Sequence, residues 1–259
     1  PLTLITRLFL FFKKNKKKKL FIKTICVGNL YVGGTGKTPL SIEIYNLLKK
    51  KYKTIINKKN YNDQKDEINL LKKKSKIIFH KKREKALLSA EKNNYEIAIF
   101  DDGLQQKNIH YDLKIVCFNS KNGFGNKFLI PAGPLREDIS EIKNHDVIFL
   151  NGEKTNRKIY NEIKSINKKV KIYKSKYYPQ NLKKLDRKKK YLVFSGIGNP
   201  KEFENTLLKF NFKIREIIVY PDHYNYTNKD IQTIKALARK NNLAIITTEK
   251  DYLRLNNIQ

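Results

Sequence analysis

A glycine-rich stretch that follows a short apolar run constrains this chain more than any other feature of its sequence. Residues 26–40 read C-V-G-N-L-Y-V-G-G-T-G-K-T-P-L, and the β-branched, apolar residues at and before its start are typical of a buried strand. Pro39 suits the first turn of a helix. The apolar residues that follow have helical spacing and predict one face of that helix: Leu40, Ile44, Leu47 and Leu48. A glycine turn between a strand and a helix start predicts a phosphate-binding loop.

The residue types in this loop match the chemistry of a triphosphate. Glycines let backbone N–H groups curve around phosphate oxygens, and the helix N-terminus adds unpaired donors and a positive dipole. Lys37 brings a full charge to the terminal phosphates, and the Thr38 hydroxyl is placed to ligate Mg²⁺. The strict motif G-x-x-x-x-G-K-[ST] has glycine where this chain has Tyr31, so an ordinary glycine turn before Lys-Thr stays open as the alternative. The predicted nucleotide-binding residues are Gly33, Gly34, Thr35, Gly36, Lys37 and Thr38.

The strongly basic composition allows two interpretations of the surface. The chain has 259 residues and a net charge of +32, and its 40% hydrophobic content is enough to build a core. A basic face could bind nucleic acid or an anionic membrane. The lysines are scattered and accompanied by many Asn and Ile, and no RNA-binding signature or zinc-finger spacing appears, so we expect no nucleic-acid partner. Cys26 and Cys117 lie in apolar runs, which indicates buried thiols in a reducing compartment.

The N-terminal segment combines an apolar run with a basic cluster. Residues 2–12 are apolar apart from two threonines and Arg7, and six lysines follow between residues 13 and 19. The run is shorter than the ~20 residues that span a bilayer. Two structures fit this pattern equally: an interfacial helix on an anionic membrane, and a helix packed on the domain with a solvated lysine linker.

Strand-like and helix-like segments alternate along the rest of the chain. Strands are predicted at 54–56, 76–79, 96–100, 113–118, 146–150, 191–194, 217–220 and 243–246. The alternation predicts an α/β fold, a P-loop NTPase-like parallel sheet sandwich with a second, smaller α/β domain. The composition turns polar near residues 151–157. We place the boundary there, between a nucleotide-binding domain with its membrane-proximal N-terminal segment (1–150) and a smaller domain that closes the active-site cleft (151–259).

Local signals mark several helices and loops in this alternation. Residues 83–92 have a helical pattern, whereas residues 61–67 are polar and are predicted as a loop. Asn199 can cap a helix that has Pro200 in its first turn. Thr227 or Asn228 can cap a later helix. Its apolar residues share one face: Ile231, Ile234, Leu237 and Ala238.

Two adjacent acids follow the strand predicted at 96–100. Asp101 and Asp102 stand at its carboxyl end, which is the edge where ligands bind in doubly wound sheets. A phosphate-binding loop needs an acid at that edge to hold Mg²⁺, directly or through water. A plain Asp-Asp-Gly turn is the alternative, but the loop upstream favours the metal role. We therefore predict Thr38, Asp101 and Asp102 as the metal site.

Six segments stand in an order that resembles one known family. They read V-G-N-L-Y-V-G-G-T-G-K-T-P at 27–39, D-D-G-L-Q at 101–105, G-F-G-N-K-F-L-I-P-A-G-P-L-R-E at 123–137, S-G-I-G-N-P at 195–200, P-D-H-Y at 221–224 and T-E-K-D at 248–251. Each is weak alone, but the ordered set covers nearly the whole chain and is similar to the tetraacyldisaccharide 4′-kinases of lipid A synthesis in Gram-negative bacteria. That family usually carries a longer amphipathic lead-in, so the resemblance also implies a clipped N-terminus.

The resemblance implies an ATP- and Mg²⁺-dependent kinase that phosphorylates the 4′-hydroxyl of an acylated disaccharide 1-phosphate. It places the protein peripherally at the cytoplasmic face of the inner membrane, with the disaccharide in the cleft between the domains. In the family an Asp and a His activate the acceptor hydroxyl, and the matching residues here are Asp66 and His223. A carboxylate orients an imidazole and stabilises its charged form. Lys37 is the third residue with an implied catalytic role.

The resemblance also implies substrate contacts, and several positions depart from the family pattern. The implied substrate residues are Tyr61, Gln105, Arg136 and Glu137. Lys65 stands where the family has glycine, and Gln106 stands where it usually has histidine. The family's S-R-G-Y-G segment appears as N-K-K-N-Y at 57–61, so that Lys58 or Lys59 takes the place of the arginine.

Two other function classes remain as alternatives to the kinase. A different P-loop ATPase or GTPase that acts as a nucleotide switch would share the loop and the acidic pair. A basic nucleic-acid-binding protein would use the net charge of +32 directly.

Overall fold

The computed structural model describes residues 21–59, 65–106, 108–152, 157–179 and 181–255, with the backbone alone at residues 65 and 66. Within these ranges the strands are β1 (Lys23–Gly28), β2 (Thr54–Lys59), β3 (Ile77–His80), β4 (Ile97–Asp101), β5 (Leu113–Asn119), β6 (Val147–Asn151), β7 (Lys171–Ser175), β8 (Lys190–Ser195), β9 (Lys213–Val219) and β10 (Ala244–Thr247). The α-helices are α1 (Lys37–Leu48), α2 (Lys65–Lys74), α3 (Arg83–Lys92), α4 (Arg157–Ile166), α5 (Pro200–Lys209), α6 (Asn228–Lys240) and α7 (Glu249–Leu255). Two short 3₁₀ helices lie at Ile139–Asn144 and Leu182–Lys184.

The larger sheet has its first strand in the middle. Its order is β3-β2-β4-β1-β5-β6-β7, and every pairing in it is parallel. The central strands β1, β4 and β5 are mostly apolar, and Cys26, Phe100 and Phe118 are completely buried, as expected for a sheet covered on both faces. The chain leaves β1 towards β2 on one side, whereas β5 is followed by β6 on the other side. Ligands of doubly wound sheets bind beyond the carboxyl ends of strands at such a reversal.

The smaller sheet is a separate parallel layer. Its order is β10-β8-β9, and buried side chains from β8 contribute to two distinct apolar clusters, one containing Tyr191 and Val193 and the other Leu192 and Phe194. The chain falls into two compact units, the first formed by residues up to 60 and 71–176, the second by 61–70 and 177–259. The predicted fold class, a parallel α/β sheet with a smaller α/β unit, is confirmed.

The division into units lies later in the chain than the expected boundary at residue 150/151. β7 pairs in parallel with β6 over five residue pairs and so extends the first sheet. α4 has the buried residues Ile159 and Ile163, which belong to the core of the first sheet. The polar composition near residues 151–157 therefore does not coincide with the division between the units.

Two local predictions differ from the structure. The segment 61–67 was expected to be a loop, but α2 begins at Lys65. In α1 the predicted apolar face is wrong, because Leu47 is 67% exposed while the buried positions are Thr38, Ser41, Ile42 and Tyr45. The observed buried face also has helical spacing. It begins with the hydroxyl residues Thr38 and Ser41, which a search for apolar residues alone does not detect.

The predicted caps and cysteines agree with the structure. The Asn199 side chain accepts a hydrogen bond from the amide of Glu202, with proline at the start of α5. Thr227 caps α6 in a reciprocal capping box with Asp230. Both cysteines are buried and free, and burial raises the pKa of the Cys117 thiol to about 12, so the thiol stays protonated and unreactive.

Candidate nucleotide-binding site

The loop between β1 and α1 has the backbone that its glycines predict. Gly33 has a φ of 125° and Gly36 a φ of 87°, which are left-handed values that other residues rarely adopt. A Cβ built at Gly33 or Gly34 would meet no described atom within 4 Å, so the backbone here can be approached closely. α1 begins immediately after Gly36 and has no side-chain cap. Its first amides are therefore donors of the kind that bind a phosphate.

Tyr31, which replaces the first glycine of the strict motif, anchors this loop. Its side chain is 5% exposed and stacks on Phe118 with ring centroids 5.9 Å apart. Its hydroxyl accepts a hydrogen bond of 2.6 Å from the amide of Asn119 at the end of β5. Its backbone pairs with Leu135. The loop is thus fixed at its start by packing, and its left-handed residues lie nearer to the lysine.

Asp101, at the end of β4, accepts hydrogen bonds on both carboxylate oxygens. The hydroxyl of Thr38 donates to Oδ2 at 2.9 Å, and that of Ser41, one turn later on α1, donates to Oδ1 at 3.3 Å. Lys58 Nζ also donates to Oδ2 at 2.9 Å, and both members of this ion pair are almost inaccessible to solvent. The register of the sheet explains the pair, because Lys58 on β2 and Asp101 on β4 are direct neighbours.

Asp102 faces the two cations that the sequence places near the phosphates. Arg136 NH1 lies 3.2 Å from its carboxylate, and Lys37 Nζ lies 3.9 Å from Oδ1. Burial alone would raise the pKa of Asp102, but Lys37, Arg136 and Lys58 outweigh it and hold the pKa below its ordinary value. The residue is left-handed, with a φ of 60°, so the chain turns out of β4 at this carboxylate. Asp102 is therefore ionised at neutral pH and paired with both cations.

A buried arginine that the sequence did not mark holds the acidic turn in place. Arg83, the first residue of α3, is 5% exposed. Its NH2 donates to the carbonyl of Asp102 at 2.5 Å and to that of Asp101 at 3.4 Å. Ser41 and Lys58 were also not assigned to the site. Two signals in the sequence could have identified them: the polar residues that follow the apolar start of β2 (I-I-N-K-K, residues 55–59), and a serine one turn after Thr38.

The remaining predicted site residues of the first unit either form hydrogen bonds with backbone groups or are buried. Gln105 Nε2 donates to the carbonyl of Asn29 at 3.0 Å, so this amide supports the segment that leads into the loop. The amide of Arg136 donates to the carbonyl of Leu30 at 2.7 Å, which joins the 123–137 segment to the same stretch. Glu137 is 4% exposed, and Thr35 is 1% exposed with its carbonyl accepting from Asn151.

The implied His–Asp pair belongs to the second unit. His223 has a left-handed φ of 59°, and its amide donates to the carbonyl of Gly196 and to Oδ1 of Asp222. Residue 66 lies in the first turn of α2, but its side chain is outside the described residues, as is Tyr61 altogether. The pairing of Asp66 with His223 and the substrate role of Tyr61 therefore stay predictions.

The donor set around Thr38 suits a hard divalent cation. Hydroxyl and carboxylate oxygens are the ligands that Mg²⁺ prefers, and Mg²⁺ usually keeps several waters and uses one or two carboxylates with substrate phosphates. Thr38, Asp101 and Asp102 supply such oxygens at one edge of the sheet. Within the described ranges no cluster of three or more His, Cys, Asp or Glu suggests a metal cage built from protein alone. This donor set fits a cation that arrives with its nucleotide.

The fold and this loop together define a P-loop nucleotide-binding α/β protein. The model of the family described as "LpxK: Tetraacyldisaccharide-1-P 4'-kinase" matches residues 2–259. The chain therefore belongs to the tetraacyldisaccharide-1-phosphate 4′-kinase family, and this membership makes it an ATP-dependent kinase. The alternatives of a nucleotide switch and of a nucleic-acid-binding protein are not favoured.

Curated relatives and a solved structure agree with the family. A tetraacyldisaccharide 4′-kinase of Pelagibacter ubique is 48% identical over 239 residues, which cover 92% of this chain and 76% of that protein. One from Rickettsia akari is 35% identical over 254 residues, covering 91% and 77%. The crystal structure of LpxK from Aquifex aeolicus, described as a complex with ATP, aligns with a TM-score of 0.70 at 25% identity over 98% of this chain and 86% of that one.

Among the described helices, none combines the length and the apolarity that crossing a bilayer requires. The apolar and basic segment at residues 2–19, for which an interfacial role was predicted, lies outside the described residues.

Proposed function

We propose that this chain transfers the γ-phosphate of ATP to the 4′-hydroxyl of a tetraacyldisaccharide 1-phosphate, with Mg²⁺, at the inner surface of the membrane that holds this lipid. The observation that carries the proposal is the contact of Thr38 with Asp101 at 2.9 Å, beside Lys37 and Asp102. It joins the lysine-threonine pair of the loop to the acid after β4 in a chain of this family. That pairing is what phosphoryl transfer on a P-loop uses.

The first unit supplies the groups for ATP. The amides from Gly33 to Thr38 would surround the β- and γ-phosphates, and Lys37 would neutralise negative charge on the transferring phosphoryl group and its leaving oxygen. Thr38, Asp101 and Asp102 would hold Mg²⁺, directly or through water. The hydrogen bonds of Asp101 with Thr38, Ser41 and Lys58 fix the position of its carboxylate. When bound, Mg²⁺ withdraws charge from the phosphates.

Arg136 is suited to exchange its ion pair with Asp102 for a contact with a bound phosphate group. Its guanidinium is 29% exposed and now pairs with Asp102. A guanidinium presents several donors in a plane and binds phosphate oxygens well. We assign it, with Glu137 and Gln105, to the segments that border the substrate phosphates, and Tyr61 to the lipid acceptor by resemblance alone.

The acceptor hydroxyl needs a group that removes its proton. The side chain of His223 is 32% exposed, and imidazole is the side chain that most often serves as a general base. We assign His223 as the base and Asp66 as the carboxylate that orients it. Proton transfer of this kind contributes about 10²–10⁴-fold to a rate.

Two features support binding at the membrane surface: the charge of the N-terminal segment and the lipid nature of the acceptor. A tetraacylated lipid stays in its bilayer, so the enzyme has to come to the surface. A polybasic segment next to an apolar run is attracted to anionic lipid headgroups. Residues 2–19 combine both features.

A radioactive transfer assay tests the reaction. The protein is incubated with labelled ATP, Mg²⁺ and tetraacyldisaccharide 1-phosphate, and a bisphosphorylated lipid is expected. Lys37→Ala should lower the turnover by about 10²-fold or more, because a charge that stabilises the transferring phosphoryl group is lost. Lys50→Ala, an exposed lysine just after α1, is the matched control and should keep full turnover. Full activity of Lys37→Ala would exclude the loop from the mechanism, and an absence of labelled lipid with the wild-type chain would overturn the proposed reaction.

A further inference from the structure

Helix α7 of the second unit contacts both segments that carry the proposed His–Asp pair. α7 contains Lys250, Asp251 and Arg254, and the T-E-K-D segment that marks its start had no role assigned from the sequence. We propose that α7 is the positioning element of the base: Asp251 and Arg254 hold the turn that carries His223, and Lys250 holds the start of α2. The inference rests on the proposed function, because it concerns the same base.

Asp251 is the centre of a buried hydrogen-bond network. It is completely buried and accepts hydrogen bonds from the amide of Gly196 at 3.0 Å and from the hydroxyl of Tyr226 at 2.8 Å. Thr248 Oγ1 donates to Oδ2 at 2.5 Å, whereas Arg254 NH2 lies 3.1 Å from Oδ1, the oxygen that accepts from Gly196 and Tyr226. A buried carboxylate is retained only when it is paired and hydrogen-bonded, and here each oxygen has at least one donor.

Arg254 extends this network to the two turns at the ends of β8 and β9. It is 8% exposed, and NH2 donates to the carbonyl of Gly196 at 2.8 Å while NH1 donates to that of Tyr224 at 3.1 Å. The guanidinium also lies over the ring of Tyr226, 5.9 Å from its centroid. The carbonyl of Gly196 accepts a second hydrogen bond of 3.2 Å, from the amide of His223. One oxygen atom thus connects Arg254 to the proposed base.

The turn at Gly196 leaves little room for a side chain. A Cβ there would lie 3.0 Å from the carbonyl of Pro221 and 3.2 Å from Cβ of Tyr224, which flank His223 on either side. The backbone of His223 is left-handed, which costs free energy unless neighbouring contacts maintain it. Contacts from α7 to Gly196 and Tyr224 support this turn, together with the hydrogen bond from the His223 amide to Asp222 Oδ1.

The same helix is connected to the segment that carries Asp66. Lys250 Nζ donates to Oε1 of Glu67 at 2.8 Å, and both side chains are largely shielded from solvent. Glu67 directly follows Asp66 in the first turn of α2. α7 therefore contacts one neighbour of each proposed partner, with Asp251 and Arg254 on one side and Lys250 on the other.

The experiment follows the imidazole of His223 directly. The chain has four histidines, and ¹⁵N-histidine labelling gives one set of ring signals for each. The signals of His223 are identified by their loss in His223→Ala. Asp251→Asn should shift or broaden the His223 signals and leave those of His110 and His145, in the first unit, unchanged. Tyr226→Phe, which removes a single donor, should cause a smaller shift of the same signals and covers the case in which Asp251→Asn does not fold.

Kinetics supply the second readout. Asp251→Asn should lower kcat at least tenfold with a change of less than twofold in the KM for ATP, because the nucleotide binds to the first unit. In the His223→Ala background the same substitution should have no further effect. Lys250→Met should lower kcat more weakly and also without changing the KM for ATP. Glu204→Gln is the matched control, since Glu204 is a buried acid with an i,i+3 partner, Lys201, in the same unit. It should change neither readout.

The possible failures are distinct. Unchanged His223 signals in Asp251→Asn, or an equal loss of kcat in the wild-type and His223→Ala backgrounds, would overturn the positioning role. Full turnover of His223→Ala would instead overturn the assignment of the base in the proposed function, and the imidazole signals would then decide the positioning by themselves.

Discussion

At the scale of single residues, the least expected feature is a lysine buried against the acid of the nucleotide site. Lys58 and Asp101 are 1% and 0% exposed in their side chains, with 2.9 Å between Nζ and Oδ2. Desolvating two charges is costly, and their attraction offsets that cost only when the geometry is good and other donors complete the site. Thr38 and Ser41 provide those donors. The lysine therefore compensates the carboxylate before any divalent cation binds.

Removing one member of this pair should be far more damaging than removing both. Lys58→Met leaves Asp101 buried and uncompensated, so we expect the free energy of unfolding to fall by about 3–5 kcal/mol. In the Asp101→Asn background the same substitution should cost much less, because no charge is left alone. Denaturant unfolding of the four proteins, followed by circular dichroism, gives the comparison. An equal loss in both backgrounds would show that the two side chains are not coupled.

The proximity of site residues was predictable where neighbours in sequence share a motif. Lys37 and Thr38 follow the glycines directly, and Asp101 ends a strand, so their types and spacing indicate one site. Lys58 and Arg83 were not predictable in this way. Their contacts with Asp101 and Asp102 depend on strand register and on the position of α3, which pairing across the sheet determines. The sequence contains the residues, but a single chain does not show which strands are adjacent.

At the scale of elements, apolar periodicity predicted the strands better than the helix faces. A buried parallel strand is apolar at nearly every position, so β4 and β8 stand out as runs. In α1 the buried face begins with Thr38 and Ser41, whose hydroxyls bind Asp101, and continues with Ile42 and Tyr45, so polar contacts as well as apolar packing determine which side faces the sheet. β7 was missed because its alternation is weak and four of its five residues are polar or aromatic at a sheet edge.

The cap of α6 offers a test of element stability. Thr227 Oγ1 accepts from the amide of Asp230, whose carboxylate binds back to the amide of Thr227. Thr227→Ala removes the acceptor and should lower the free energy of unfolding by about 1 kcal/mol. Thr233→Ala, in the middle of the same helix and exposed, is the control and should be neutral or slightly stabilising. The measurement is the denaturation midpoint of each variant relative to the wild-type chain. Equal changes in Thr227→Ala and Thr233→Ala would mean that the capping box does not stabilise α6.

At the scale of the whole molecule, the fold does not explain why the chain carries so much positive charge. The net charge of +32 is spread over the chain, and the described residues hold many exposed lysines on both units. Such a surface is attracted weakly and non-specifically to any anionic partner. A lipid kinase needs in addition a segment that enters the headgroup region, and charge alone does not provide one.

The N-terminal segment should therefore contribute more to the affinity for membranes than its seven of the 56 basic residues would by charge alone. Deleting residues 2–19 removes an apolar run and seven basic residues. Each Lys or Arg near an anionic leaflet is worth about 1 kcal/mol, and the apolar residues add burial, so we expect at least a tenfold loss of affinity for vesicles containing anionic lipid. Sedimentation with such vesicles at low and high salt gives the measurement, with neutral vesicles as reference. A variant with only the six lysines at 13–19 changed to Gln is the matched control and should lose the salt-sensitive part while keeping the apolar part. If the deletion leaves binding unchanged, the scattered lysines of the two units bind the surface and the N-terminal segment has another role.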